Sequence, residues 1–138
     1  MKYLILAYGS QRDYDAMSGR PAEGAPTWTP QDFEAMGVYM EKLNNDLAES
    51  GELVETRGLT APVHGRRLEL RGGVPVVTDG PYAETQEVLA GYWVVECDSY
   101  DRATEIAGRL LKVPGPADYT DVVIDIRPIA ESRHEMDL

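Results

Sequence analysis

A chain of 138 residues, 43% of them hydrophobic, is long enough for one domain with its own core. Its 13 basic and 24 acidic residues leave a formal charge of -11, which repels phosphate backbones and anionic headgroups and argues against nucleic acid or membrane surfaces as partners. The single cysteine, Cys97, rules out an intramolecular disulfide and points to a reducing, cytoplasmic setting, and no apolar run reaches the roughly 20 residues of a membrane-spanning helix.

The first element is KYLILAYG, residues 2–9, a short apolar and aromatic run that ends at Gly9. Its length and composition predict a strand buried on both faces. A signal peptide fits less well, because only Lys2 precedes the run and no small-residue cleavage site follows soon. Residues 10–26 lack periodicity and carry Gly and Pro, which predicts a loop long enough to act as a lid. A helix is then predicted from Thr29, a capping residue, with Pro30 in its first turn and Asp32 at the positive end of its dipole. Phe33, Met36, Met40, Leu43 and Leu47 fall on one stripe that reads as core, and Gly51 supplies a left-handed stop.

Residues 52–59 read as a second strand. Residues 66–80 read as a hairpin, with Gly72-Gly73 as its positive-φ turn and Val74, Val76 and Val77 on the return strand. Residues 91–97 form a further strand and residues 98–112 a helix, with Ala103, Ile106, Ala107, Leu110 and Leu111 as its buried stripe. Pro114 and Pro116 end that helix, residues 121–129 give a last strand, and residues 130–138 a polar, mobile tail. The order predicts an α+β, ferredoxin-like fold: an antiparallel sheet with two helices on one face and an inserted hairpin.

The strands alternate. Trp93, Val95 and Cys97, with Val122, Ile124 and Ile126, belong to the helix-covered face. Tyr92, Val94 and Glu96, with Val123, Asp125 and Arg127, belong to the other. The apolar content of that second face predicts a homodimer, packed sheet against sheet, with a pocket for a small-molecule ligand between the sheets.

Chemistry concentrates in TDGPYAETQE, residues 78–87. Asp79, Glu84 and Glu87 beside Tyr82 suit acid–base work if burial separates their pKa values. Asp79-Gly80-Pro81 is also strong turn chemistry, so the stretch reads equally as a corner. His64 sits in a loop without a fixed carboxylate partner, His134 lies in the tail, and Cys97 reads as a small core hydrophobe. No metal set, nucleotide fingerprint or nucleophile elbow is present, so neither cofactor nor metal is expected.

The combination of YLILAYG, the hairpin that runs into VTDGPYAETQE, and GYWVVECDSYDRATEIA resembles the YCII-related, DGPF-domain family over residues 1–129. The signature tetrapeptide is DGPY here, and Gln86 stands where the family's continuation carries a lysine. The resemblance implies a dimeric, ferredoxin-like α+β barrel. A His–Asp pair proposed in related proteins has no matching strand histidine in this chain. Genes of this family often lie near extracytoplasmic-function sigma factors, which implies a regulatory or accessory setting. Two functions stay open. One is an enzyme in which Asp79 or Glu84 moves a proton in a pocket lined by Tyr8, Tyr82, Tyr92 and Arg127. The other is a non-catalytic ligand-binding or regulatory protein that uses the same pocket.

Overall fold

Neighbouring side chains of the first strand take opposite sides, and this sets the architecture. The computed structural model describes residues 1–136 apart from 22, 118 and 120. Its N-terminal half runs β1 (Lys2–Gly9), α1 (Gln11–Met17), α2 (Pro30–Glu49) and β2 (Leu53–Gly58). A single 3-10 turn at Pro62–His64 leads into β3 (Arg66–Arg71) and β4 (Val74–Asp79). The rest is β5 (Val88–Glu96), α3 (Tyr100–Leu110), β6 (Ile124–Pro128) and α4 (Arg133–Met136).

Four strands form an antiparallel sheet in the order β2-β5-β1-β6, and β3 and β4 pair with each other as a separate hairpin. This is the ferredoxin-like arrangement the element order predicts. Tyr3 and Ile5 of β1 and Val95 of β5 are buried with Leu43 and Leu47 of α2 and Ile106 of α3. The covered face is therefore the core, and full burial of each such side chain contributes roughly 1.5–3 kcal/mol. On the opposite face Leu4 lies across from Val94 and Arg127, and Leu6 across from Tyr92 and Asp125. Those four apolar and aromatic side chains are half-buried, whereas Asp125 and Arg127 are exposed.

Local chemistry explains the helices. Thr29 Oγ1 accepts the Asp32 N–H at 3.1 Å and the Asp32 carboxylate accepts the Thr29 N–H at 2.9 Å, a reciprocal capping box. Ser99 caps α3 by accepting the Arg102 N–H at 3.0 Å. Arg102 also grips Glu52, with two bonds of 2.8 Å, and so ties the start of α3 to the turn between α2 and β2. That bidentate bond holds the Glu52 carboxyl below its ordinary pKa, against the opposing effect of partial burial. Cys97 is buried in the core, and burial pushes its thiol pKa up.

The structure departs from the sequence reading in one place of consequence. Residues 11–17 of the expected loop form α1, capped by Ser10, whose hydroxyl accepts the Asp13 N–H at 3.2 Å while Asp13 accepts the Ser10 N–H at 2.9 Å. Seven residues are too few to display a helical period, and the Gly and Pro signals further along mask the cap. The Tyr14 hydroxyl donates to Leu59 O at 2.9 Å and lies 3.3 Å from Ala90 O, pinning α1 to the ends of β2 and β5. The strand expected at 91–97 begins at Val88, and the last strand is shorter than the expected 121–129. The expected tail carries α4, and its residues 137–138 lie outside the described residues. Among the described residues no helix is long and apolar enough to cross a membrane.

Candidate functional site

Leu43 and Leu47 of α2 are buried on the covered face, and towards its N-terminus the half-buried Met36 and Met40 border open space instead. Where the packing thins, a cavity of about 350 Å³ remains between α1, α2, the segment after α3 and the sheet. This volume falls within the roughly 300–1,000 Å³ of ligand pockets. Ala7, Trp93 and Ile124 form its floor on the sheet, and the small Ala7 side chain leaves room above β1. Leu110, Val113 and Pro114 close one side, and Met17 of α1 and Trp28 close another.

Two tryptophans border the cavity and both are held in place. Trp93 Nε1 donates to Asn44 Oδ1 of α2 at 3.0 Å. Trp28 stacks on Phe33 at 5.2 Å between ring centres and meets Tyr119 edge-on at 5.7 Å. Gly115 admits this pair of rings: a Cβ there would stand 3.1 Å from Tyr119 and 3.4 Å from Trp28. The polar residues of the lining are Tyr8, Asp13, Glu87, Tyr119 and Asp121. Burial, and then the negative charge of Asp13 and Glu87, raises the Tyr119 phenol pKa, so it remains a neutral donor. Tyr8 donates to Asp125 Oδ2 at 2.7 Å, and that bond is the main cause of its raised pKa.

The motif TDGPYAETQE holds several segments together. Asp79 pairs with Arg66 at 2.6 Å across the base of the hairpin. Gly80 adopts φ 57, in the left-handed region, and its N–H donates to Gly65 O at 2.8 Å. The Tyr82 ring packs where a Cβ on Gly65 would come within 3.2 Å, and the Arg67 guanidinium lies 5.2 Å from the centre of that ring. The Glu84 carbonyl accepts the Arg12 N–H of α1 at 3.1 Å. The stretch thus joins the hairpin, the 61–65 turn and α1, which borders the cavity.

The candidates from sequence separate into three places. Asp79 and Glu84 are exposed and do not line the cavity. Tyr82 lies in the corner just described, and Tyr92 and Arg127 belong to the open face, in register with Leu6 and Leu4. Tyr8 borders the cavity and also reaches Asp125 on the open face. Among the carboxylates of the motif, Glu87 is the one that borders the cavity. Sequence reasoning missed Trp28, Trp93, Tyr119 and Asp121 as site residues. The one local signal was the Met36–Met40 stripe, which reads as core. Among the described residues no group of 3 or more His, Cys, Asp or Glu is placed to hold a metal ion.

Comparison with known proteins finds a family match and a relative. The YCII-related domain matches residues 1–113. An uncharacterised protein of Rhizobium meliloti (strain 1021) is 26% identical over 131 residues, covering 94% of this chain and 93% of that protein. The domain match ends before β6, yet β6 pairs with β1 and completes the sheet.

Proposed function

The chain belongs to the YCII-related domain family, and from that premise we propose that it binds a small organic molecule in the cavity beneath α2. The observation that carries this reading is the cavity itself, about 350 Å³, with apolar walls and a few polar groups at its edge. Mixed lining of this kind lets an apolar body leave water while the polar groups set its orientation. Tyr119 and Glu87 are the donor and acceptor available for proton transfer to a bound molecule. In this reading Asp79 and Glu84 frame the site through the corner they build. A regulatory or accessory role corresponds to binding without turnover.

Both tryptophans of the chain border the cavity, so intrinsic fluorescence reports its occupancy. Titration with benzyl alcohol is expected to give a saturable change, weakened in Ala7→Phe, which sets a ring on the cavity floor, while circular dichroism stays native. An unchanged spectrum throughout the titration would overturn the proposal.

The open sheet face favours a second element of function, a two-fold homodimer that buries Leu4, Leu6 and Val94 against their copies. A monomer mass by light scattering at micromolar concentration would remove this part of the reading and leave the cavity untouched.

A further inference from the structure

We propose that the cavity selects an organic cation, a small ammonium compound with an apolar or aromatic body. The inference rests on the small-molecule reading above and adds the chemical class of the ligand. Three carboxylates, Asp13, Glu87 and Asp121, border the cavity from three separate segments: α1, the approach to β5 and the approach to β6. No Lys, Arg or His lines it among the described residues. Glu87 and Asp121 are exposed at the rim, and the Asp13 carboxylate also accepts the Ser10 N–H; an anion arriving there meets three like charges with no counterion in the lining. A neutral guest returns at most a hydrogen bond to the carboxylates and leaves their charge uncompensated. An ammonium group offers what both lack, and the body attached to it occupies the apolar part of the lining.

The walls fit the same class. The rings of Trp28 and Tyr119 meet edge-on, backed by Phe33, and Trp93 adds a third aromatic surface. Aromatic faces attract quaternary and primary ammonium groups through the ring quadrupole, and they do so more strongly once water is displaced. The raised pKa of Tyr119, traced in part to Asp13 and Glu87, places the ring within the field of two of the carboxylates. A bare metal ion fits less well, because among the described residues no three carboxylates are grouped to hold one. The formal charge of -11 adds a long-range field that concentrates cations near the molecule and depletes anions.

The test uses three probes that share one ring: benzylammonium, benzyl alcohol and benzoate, each titrated at neutral pH and low salt with tryptophan fluorescence as the readout. Benzylammonium is expected to bind at least tenfold more tightly than benzyl alcohol, with benzoate weakest. In the double variant Glu87→Gln, Asp121→Asn the ratio of benzylammonium to benzyl alcohol affinity should fall several-fold. Equal affinities, or a preference for benzoate, would overturn the cation assignment and leave the small-molecule reading standing. Silence towards all three probes would overturn both. The variant Ala7→Phe, which sets a ring on the cavity floor, distinguishes binding in the cavity from binding to the acidic surface: if it keeps wild-type ammonium affinity, the proposal falls.

Discussion

Ile5 and Leu6 are consecutive in β1, yet they belong to different surfaces. Ile5 is 0% exposed beneath α2 and α3, whereas Leu6 is half-buried across from Tyr92 and Asp125 on the face the long helices leave open. The period of two in a strand divides one run of apolar residues between two tasks. The covered face supplies the core and, where α2 thins to methionines, a cavity. The open face mixes apolar groups with Tyr8, Asp125 and Arg127, a composition suited to a partner surface.

A matched pair of truncations separates the two faces. Leu43→Ala removes a side chain that is 0% exposed beneath α2 and should destabilise by about 2–5 kcal/mol in urea denaturation. Leu6→Ala on the open face should lower stability by less than about 1 kcal/mol in a monomer. If a second copy covers that face, its effect grows with protein concentration, because association adds to apparent stability. Equal losses at both positions and at all concentrations would erase the distinction between the faces.

A smaller effect concerns how the covered face is held. Glu52→Gln breaks the bidentate bond to Arg102 and should lower stability by roughly 1–2 kcal/mol, less than for a fully buried pair because Arg102 keeps 41% exposure. The folded carboxyl pKa is depressed, so its contribution is full above the ordinary glutamate value of about 4.3 and is lost as pH falls through the folded value. Thermal melts against pH should therefore show a steeper acid limb for wild type than for Glu52→Gln. Parallel limbs would mean that the pair contributes nothing.

Thr29→Ala, which removes the α2 cap at the cavity end of the helix, should cost about 1 kcal/mol in the same melts. The smallest expected change is that of Asp79→Asn, because exposed ion pairs contribute roughly 0.2–1 kcal/mol. A drop well beyond that range would show that the corner holds more of the fold than its exposed contacts suggest.

What was legible in the sequence was local or periodic. Thr29, Pro30 and Asp32 mark the start of α2 because a cap is built within four residues, and Gly72 and Gly73 take φ 55 and 81 as the hairpin turn demands. The sheet order follows from the element order and the alternation. α1 was hidden because its decisive contacts, from Tyr14 to Leu59 and Ala90, reach 45 and 76 residues along the chain. The cavity was hidden for the same reason. Its lining comes from elements far apart in sequence, and Met36 and Met40 carry the same apolar signal whether they fill a core or border a space.

Binding of a small molecule requires that space to be open to a guest. The five methionines of the chain supply the test, because Met17, Met36 and Met40 border the cavity whereas Met1 and Met136 stand elsewhere, 62% and 74% exposed. With methyl-¹³C methionine, addition of benzyl alcohol should shift the three cavity methyl resonances in the NMR spectrum and leave the two exposed ones in place. Five unmoved resonances, or equal shifts at all five, would contradict it.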